Sequence, residues 1–560
     1  MAVAKDGTGD AVYVSYDRLG NGWSTVSKGQ ASAVFVMKLQ VSTTGSLSDM
    51  AARKSDDEQL DLTPAQLAPR SSNWKNIIDR PLTAYRLRVD YQSAPLAIDN
   101  LQPRFSWSLA AAEGLQGVRQ TAYQMIVTNR GTGVVIMDTQ RVASNATAVS
   151  PLQLSAVHSD VSFAWSITVW AGAASHTVNS TFGTGPVDWK NALWIGGASL
   201  LRRSFTLPAQ AVQRGILHIA CPGYCVVSIN GKAVTDAVLG HQTVYERTVL
   251  YDTHDVATQL KQGNNTIGIE VGNGWYGSFE ESCKQVAASA QDCTAAEHSH
   301  SNPHLCLPYC WQQHPGQLGN RSVMVLLSTA DASGATATVV SDLSWQQSQG
   351  ELVSDDIYKG EVRDMRKAQP AGWDTPDFDA SSWAPAGPAV APDGDLASAA
   401  YPPVRIANAT LEARSVSRLG SGRWLFDFGV NTAALIRLEL PSSTAGTSVY
   451  ITTHEQLSKN GSGAGPYPSA QTFILAGSKG PVAVQTKMTY YGFQYLELVC
   501  EQWADAVPFG LKLTSLPVST DVSTDGTITF KGDAAELLGK IHGATLNSGR
   551  SNLVSVPTDW

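Results

Sequence analysis

The sequence is poor in charge and contains no long hydrophobic run. Charged residues make up 16% of the 560 residues, and the formal net charge of −8 is spread along the chain. No basic stripe is present that would favour a nucleic-acid backbone as a partner. The longest apolar runs, such as Val323–Leu327, are far too short to span a bilayer. These absences predict a soluble protein without nucleic-acid or membrane partners.

The short motifs of familiar catalytic sites are also missing. The sequence has no phosphate-binding loop, no His-Glu-x-x-His motif and no recognisable Ser, His and Asp order. The segment Gly272–Gly277 has the letters of a dinucleotide fingerprint, but Trp275 and Tyr276 crowd it and no apolar helix pattern follows. We interpret this segment as a β-turn whose aromatic side chains serve packing more often than stacking on a sugar.

Two signals about location conflict. The segment Met1–Asp6 has no apolar signal sequence, whereas six acceptor triplets for N-glycosylation favour secretion. The triplets begin at Asn145, Asn179, Asn264, Asn320, Asn408 and Asn460. An extracellular location is favoured by the triplets alone, and a missing 5′ end would reconcile the two signals.

Cysteine is scarce, and four of the seven cysteines fall in one segment that also holds several histidines. These four are Cys283, Cys293, Cys306 and Cys310. No Cys-x-x-Cys spacing occurs, which weakens a zinc interpretation, so disulfides are preferred while free thiols and a metal site stay open. Cys221 and Cys225 flank a turn and could pair or stay reduced. Cys500 follows an apolar strand, where a buried free thiol is expected.

The abundant residue types point to β structure. With 48 Gly, 26 Pro and 15 Trp, the composition suits sandwiches joined by turns. We predict a mainly β fold of tandem β-sandwich and jelly-roll modules, ending in one C-terminal helix. Alternating apolar residues such as Tyr123, Met125 and Val127 predict an immunoglobulin-like sandwich over residues 81–185, after a poorly defined segment 1–80.

Two further β modules and a helix are predicted downstream. A jelly-roll-like module covers residues 186–385, in which Asn230-Gly231 is the strongest hairpin signal and residues 281–318 form a Cys/His-rich insertion. A third β-sandwich covers residues 386–520. From Ala534 apolar residues recur at helical spacing, and Asp533 with Glu536 resembles a capping box. A helical domain therefore starts within residues 521–560.

Three polar motifs allow a structural and a chemical interpretation. Opposite charges cluster over Gly360–Arg366, where an ion-pair network that joins two modules is favoured over a general acid or base. In Phe426–Asn431 the residues Asp427 and Asn431 could bind a ligand, but hydrogen bonds to a neighbouring loop are favoured. His454-Glu455 lies at a strand end, where a structural role is favoured over catalysis.

Taken in order, these segments resemble the bacterial-type α-L-rhamnosidases, inverting glycoside hydrolases that remove terminal L-rhamnose. The resemblance begins near residue 85 and rests on many short matches rather than on one strong motif. They are Leu87–Tyr91, Pro95–Asp99, Pro103–Trp107, Gln120–Tyr123, Trp194–Gly196, Tyr224–Gly231, Tyr251–Val256, Gly272–Tyr276, Gly360–Arg366, Phe426–Asn431, His454–Glu455, Tyr491–Tyr495 and Ser551–Asp559. By this resemblance residues 386–520 are the family's concanavalin-like module.

The resemblance also implies what the chain lacks. Ser551–Asp559 is similar to the entry of the family's catalytic (α/α)6 barrel, and Asp559 matches an aspartate that holds the rhamnose ring. Trp560 stands where the family has a cysteine, and the general acid and base have no counterparts. Because inverting hydrolysis needs two carboxyl groups about 6.5–9.5 Å apart, we expect a truncated barrel, no catalytic residue in the chain and no activity of the chain alone.

Several alternatives remain open at this level. The expected function is α-L-rhamnoside hydrolysis by family, with rhamnose-containing glycans as partners. The alternative is a non-catalytic rhamnose-binding, carbohydrate-binding or scaffold protein, and a purely structural β-sandwich array is a third possibility. No cofactor is expected; calcium is conceivable from related modules, but no ligands for it are identifiable. The sequence leaves the oligomeric state open.

Overall fold

The computed structural model describes residues 82–112, 115, 117–208, 210–277, 320–459, 461–464, 469–524 and 526–558, together with two short strands near the N-terminus. These two strands, β1 (Ala2–Lys5) and β2 (Val12–Ser15), pair antiparallel within a separate unit, Met1–Lys75. Everything described below belongs to the second unit, Asn76–Trp560. The four clustered cysteines, Cys283, Cys293, Cys306 and Cys310, lie outside the described residues.

The first domain is a two-sheet sandwich of seven antiparallel strands. One sheet has the order β3 (Leu82–Val89), β4 (Phe105–Ala111), β7 (Ala148–Val149), and the other has the order β6 (Val135–Asp138), β5 (Ala122–Asn129), β8 (Ser162–Ala171), β9 (Ala174–Gly183). The predicted alternation is confirmed, because Tyr123, Met125 and Val127 are all buried. Phe105 meets Trp165 edge to face with ring centroids 4.9 Å apart, which closes the core between the sheets.

The second domain is built from two larger sheets. The first has the order β23 (Gly387–Pro388), β10 (Ile195–Gly196), β17 (Ser322–Asp331), β12 (Val212–Ala220), β15 (Thr248–Asp255), β24 (Asp395–Ser398), with β18 (Thr336–Val340) on β17. The second has the order β14 (Lys232–Ala233), β13 (Tyr224–Ile229), β16 (Gly263–Gly272), β11 (Leu200–Leu207), β19 (Gln346–Ser348), β22 (Ala384–Pro385). All pairs are antiparallel except β15 with β24.

The central strands of this domain are buried on both faces. Six consecutive residues of β12, Gly215–Ala220, are buried, and β16 is buried from Asn265 to Gly272. One face packs on the opposite sheet and the other is covered by neighbouring parts of the chain, so these strands lack a polar alternation. The predicted hairpin between β13 and β14 is confirmed: Asn230 and Gly231 have φ of 53° and 77°, which both residue types accept in a two-residue turn.

The third domain has one eleven-stranded sheet. Its order is β20 (Leu352–Asp356), β21 (Gly360–Asp364), β32 (Ala470–Ile474), β29 (Ser448–His454), β34 (Tyr491–Val499), β28 (Arg423–Leu440), β35 (Lys512–Thr520), β25 (Val404–Ile406), with β26 (Leu411–Glu412) on β35 and β27 (Ser415–Gly420) and β33 (Val482–Gln485) on β28. Two small hairpins complete the strands: β30 (Gln456–Leu457) with β31 (Gly463–Ala464), and β36 (Leu553–Val554) with β37 (Val556–Pro557).

The chain crosses between the second and third domains more than once. The hairpin of β20 and β21 joins the third sheet through parallel pairing of β21 with β32. The following strands β22, β23 and β24 return to the sheets of the second domain before β25 enters the third. The two domains are therefore interleaved along the sequence, which places side chains of residues 351–364 at their junction.

The C-terminal helix α1 (Ala535–Ser551) touches the third domain mainly through its last turn. None of its residues is buried, and Leu537 is 62% exposed. The predicted capping box at Asp533 and Glu536 is wrong: the N-cap is Ala534, which has no side-chain oxygen, and Glu536 bonds Lys540 instead. No helix among the described residues is both long enough and apolar enough to cross a bilayer.

Three local expectations have clear outcomes. Cys221 and Cys225 form a disulfide, and Cys500 is a buried free thiol as expected. The β-turn expected within Gly272–Gly277 is wrong, because residues 274–277 form a helical turn in which Tyr276 is buried. This turn still lacks the setting of a dinucleotide site, since the preceding strand β16 pairs only antiparallel.

We predict that Phe493→Ala destabilises the third domain strongly. Phe493 is fully buried and packs edge to face on Phe428, so its loss leaves a cavity that costs about 3–5 kcal/mol. The matched control is Phe509→Ala in the same domain, because Phe509 is 99% exposed and its loss should change stability by no more than about 0.5 kcal/mol. Urea unfolding followed by tryptophan fluorescence measures both; equal effects of the two variants would contradict the described core.

Candidate functional site

The predicted substrate-binding residue, Asp559, lies outside the described residues. The described part of that segment ends at Thr558, whose backbone N–H donates to the Asn552 carbonyl at 2.7 Å. This bond closes the small β36–β37 hairpin. The chain preceding Asp559 is thus held in a defined turn next to the end of α1.

A crevice of about 180 Å³ lies between the third domain and α1. Its lining residues come from four of the motifs that carried the family resemblance, from the two residues after Asn431 and from the last turn of the helix. They are Asn431, Thr432, Ala433, Glu455, Gly492, Asn547, Ser548, Ser551 and Asn552. Motifs separated by more than one hundred residues of chain therefore meet at one place, which makes this crevice the candidate functional site.

Hydrogen bonds organise the crevice. The Asn431 side-chain amide donates to Glu455 Oε1 at 2.9 Å, and the Asn431 carbonyl accepts from Asn547 Nδ2 at 2.7 Å. The hydroxyls of Thr432 and Ser551 lie 3.2 Å apart. Asn431 thus links the strand end that bears Glu455 to the helix, and the hydroxyl pair adds a second contact between sheet and helix.

A bend in β28 presents Asn431 to the crevice. The pairing register of β28 with β34 shifts between Asp427 and Thr432, so the intervening residues leave the regular ladder. Asp427 Oδ1 accepts from the Gly429 N–H at 2.6 Å and from Gln494 Nε2 at 3.1 Å, which fixes the bend. Asp427 and Asn431 both make the structural hydrogen bonds that were favoured, but their partners include a strand residue, Gln494, and a helix residue, Asn547.

His454 does not enter the crevice. Its Nε2 lies 3.0 Å from the Thr452 hydroxyl, and the residue is buried on the sheet. Burial lowers the pKa of His454, although the carboxylate of Glu497 opposes the shift, so the imidazole is neutral at physiological pH. A structural role fits this neutral, buried side chain, and Glu455 alone of the His454-Glu455 pair reaches the candidate site.

The segment after the helix is anchored to two domains. The Ser555 N–H donates to Thr520 Oγ1 at 2.9 Å, and the Ser555 hydroxyl accepts from the Gln242 N–H at 3.0 Å. Val554 is buried in a cluster with Tyr224 of the second domain and Leu435 of the third. The segment after the helix is therefore docked against both the third and the second domain.

The charged motif Gly360–Arg366 forms the junction between the second and third domains. Arg363 is fully buried, and its guanidinium donates to Glu361 Oε2 and Glu270 Oε1 at 2.8 Å and to Glu351 Oε1 at 2.7 Å. Lys487 Nζ donates to Glu270 Oε2 at 2.9 Å. Glu270 lies on β16 of the second domain and Glu361 on β21 of the third, so the predicted ion-pair network between modules is confirmed.

The electrostatics of this cluster follow from its burial. Burial opposes the ionised form of Glu270, but the charges of Arg363 and Lys487 outweigh it and lower its pKa to about 2. Burial raises the pKa of Glu361, and the Arg363 charge opposes that shift. Glu361 also accepts from the backbone N–H groups of Lys487 and Met488 at 2.7 and 3.2 Å. These carboxylates are therefore committed to structure and shielded from any substrate.

A second junction, between the first and second domains, was not identified from the sequence. The Tyr251 hydroxyl donates to Asp99 Oδ1 at 2.5 Å, and the Ser398 N–H donates to Asp99 Oδ2 at 2.5 Å. Asp99 and Tyr251 both belong to segments that carry the resemblance, but nothing local in either segment signals that they meet. A cavity of about 500 Å³ opens beside them.

Three family models match consecutive parts of the chain. The Rha78A-like N-terminal immunoglobulin domain matches residues 84–188, the α-L-rhamnosidase N-terminal domain matches residues 210–408, and the bacterial α-L-rhamnosidase concanavalin-like domain matches residues 417–518. The chain belongs to the bacterial α-L-rhamnosidase family. Membership agrees with the described architecture of an immunoglobulin-like domain followed by two larger β domains.

Individual rhamnosidases are similar to this chain over most of its length. An α-L-rhamnosidase of Formosa agariphila is 25% identical over 523 residues, which are 85% of this chain and 51% of that protein. An α-L-rhamnosidase of Streptomyces avermitilis is 28% identical over 400 residues, which are 70% of this chain and 34% of that protein. The chain thus spans about half or less of the length of these relatives.

Solved rhamnosidases share the fold. The α-L-rhamnosidase from Dictyoglumus thermophilum superposes with a TM-score of 0.71 at 26% identity, over 85% of this chain and 53% of that one. The Streptomyces avermitilis α-L-rhamnosidase complexed with L-rhamnose gives 0.69 at 20% identity, over 85% of this chain and 61% of that one, and supports the fold alone.

We predict that Arg363→Met destabilises this rhamnosidase-family chain far more than Arg366→Met. Loss of Arg363 leaves buried carboxylates without their counter-charge, at a cost of about 3–5 kcal/mol. Arg366 is the matched control because it pairs with Asp364 but is half exposed, so its loss should cost about 0–1 kcal/mol. Urea unfolding gives both values, and a cost of Arg363→Met as small as that of the control would overturn the structural role of the cluster.

The pKa of Glu270 predicts an acid-sensitive junction. Because the folded-state pKa of about 2 lies below the ordinary value of 4.5, ionised Glu270 stabilises the fold at neutral pH. By linkage that contribution, about 3 kcal/mol, is lost as the pH falls from about 4.5 toward about 2. Glu270→Gln should reduce the slope of the thermal unfolding midpoint against pH in this window. The control Glu412→Gln, at an exposed position, should leave that slope unchanged. An unchanged slope in Glu270→Gln would contradict the assignment.

Proposed function

We propose that this chain supplies the N-terminal β domains of an α-L-rhamnosidase that hydrolyses terminal α-L-rhamnosides, and that its general acid and base are not among residues 1–560. The observation that carries the proposal is the order of three rhamnosidase-family domains along one chain. The proposed division is residues 81–185, 186–385 and 386–520, with residues 521–560 starting the catalytic barrel. The proposed substrates are rhamnose-containing glycans or glycosides.

The chemistry of the described carboxylates supports this division of labour. Inverting hydrolysis needs two carboxyl groups that face a sugar from opposite sides. Glu455 is the single carboxylate among the described residues that line the candidate crevice, and Asn431 already bonds it. Glu270 and Glu361 are buried against Arg363 and cannot reach a substrate.

The surface of α1 supports a barrel partner. Leu537 and Ile541, four residues apart on one face, are exposed on a helix that carries no buried residue, and Leu546 is exposed on another face. A helix of this kind is stabilised when its apolar stripe packs on neighbouring helices, as it would in an (α/α)6 barrel. Within that arrangement we propose that Asp559 holds the rhamnose ring.

We predict that the 560-residue chain does not hydrolyse 4-nitrophenyl α-L-rhamnopyranoside. The reason is the lack of a paired acid and base. The Glu455→Gln variant of the chain should therefore release nitrophenolate no more slowly than the unsubstituted chain. Release of nitrophenolate is measured beside the Dictyoglumus thermophilum enzyme as the positive control. Turnover by the chain at a rate comparable with that enzyme would refute the proposal, and turnover that Glu455→Gln abolishes would move the catalytic site to the crevice.

A further inference from the structure

The cavity at the junction of the first and second domains has the make-up of a ligand site. Its volume of about 500 Å³ lies within the range of small-molecule pockets. Residues of both domains line it, among them Asp99, Gly185, Trp189, Trp194, Tyr251 and Asp395. It lies apart from the candidate crevice, with which it shares no lining residue.

Two tryptophans give the cavity an aromatic wall. Trp189 and Trp194 are only partly buried, although both pack on the small apolar cluster beneath the cavity. Trp189 meets Tyr251 edge to face with ring centroids 5.3 Å apart, which fixes the indole. Neither indole N–H donates to any residue that the structure describes, so both are available to a ligand. Fixed, accessible indoles can stack on the apolar C–H face of a pyranose ring.

The polar groups of the cavity fall into two sets: those at its bottom, or floor, already have hydrogen-bond partners, and the carboxylate of Asp395 at its opening, or rim, has none among the described residues. The carboxylate of Asp99 is bonded on both oxygens, by Tyr251 and Ser398, and belongs to the floor. Asp395 is exposed at the rim, and no described group bonds its carboxylate. His158 lies with Nδ1 3.2 Å from the Ser155 hydroxyl. Asp395 can thus accept hydrogen bonds from sugar hydroxyls without breaking an existing contact.

The walls are pre-formed by close backbone approaches. A Cβ on Gly185 would collide with the Tyr251 hydroxyl and with Asp99 Oδ1, so only glycine lets this loop lie against the floor. The Gly185 N–H also donates to the Ile98 carbonyl at 2.9 Å. Because both domains are locked at this point, little ordering is needed on binding, which favours affinity.

We propose that this interdomain cavity binds a neutral pyranose sugar, packed against the wall that Trp189 and Trp194 form together and hydrogen-bonded by Asp395. The charge of the cavity selects against acidic sugars: it contains two carboxylates, and none of its described lining residues is lysine or arginine. The site is independent of hydrolysis, since its residues belong to the first domain and to the second, whose sheet includes the strand β24 that begins at Asp395. It would hold a glycan to the chain whether or not a catalytic barrel is attached.

The test is isothermal titration calorimetry of the 560-residue chain with L-rhamnose, D-galactose and D-galacturonate up to tens of millimolar, with tryptophan fluorescence as a second readout. We expect saturable binding of at least one neutral sugar in the millimolar range and weaker or no binding of galacturonate. Asp395→Asn should weaken binding about tenfold, because a charged acceptor is replaced by a neutral one. Trp194→Ala should weaken it by about tenfold as well and remove part of the fluorescence change.

Matched controls lie close by. Asp393→Asn changes an exposed aspartate two residues away that does not line the cavity, and Trp170→Ala removes a tryptophan that packs under Arg141 in the first domain. Neither control should alter the dissociation constant. Absence of saturable binding to both neutral sugars overturns the proposal, as do tighter binding of galacturonate or equal effects of Asp395→Asn and Asp393→Asn. If Trp194→Ala fails to fold, the comparison of Asp395→Asn with Asp393→Asn decides alone, because both aspartates are exposed. Absence of rhamnosidase activity leaves these outcomes unaffected.

Discussion

The structure depends on one buried guanidinium. Arg363 sits where the second and third domains meet and bonds carboxylates from both, so neither domain can shift without stranding a charge in the interior. Since an unpaired buried charge costs several kcal/mol, this cluster fixes the domains in one arrangement. Asp355 acts alongside it: the carboxylate pairs with Arg321 at 2.5 Å and accepts from the Asn273 N–H at 2.6 Å, both in the second domain.

The fixed junction also positions the candidate crevice and the segment that leads to Asp559. With the second and third domains locked, Ser555 can bond Gln242 on one side and Thr520 on the other, and this holds the chain that leads to Asp559. The bend of β28 then brings Asn431 and Glu455 to the end of α1. The interdomain cavity likewise depends on a junction, because the hydrogen bond between Tyr251 and Asp99 holds the first domain against the second.

Several features were predictable because their causes are local. The alternation of Tyr123, Met125 and Val127, the Asn230-Gly231 turn and the buried thiol of Cys500 each follow from neighbouring residues. Local reasoning failed where a neighbour in space decides. The helix lacks its expected capping box because the chain enters it at Ala534, and the segment Gly272–Gly277 turns helical where a β-turn was expected. The aromatic cavity gave no sequence signal, because Trp189 and Asp395 are distant in the chain.

By itself, the sequence determined the fold class and the family, and it showed that the charged motif Gly360–Arg366 forms ion pairs. These features could be predicted because periodicity, turn chemistry and charge are properties of consecutive residues. Only the tertiary structure decided which carboxylates surround Arg363, that the hairpin Leu352–Asp364 joins the third sheet, and that two tryptophans and an aspartate share one cavity. The physical reason is that burial and desolvation belong to pairs of distant segments: a charge or an indole acquires its role from what the fold places against it.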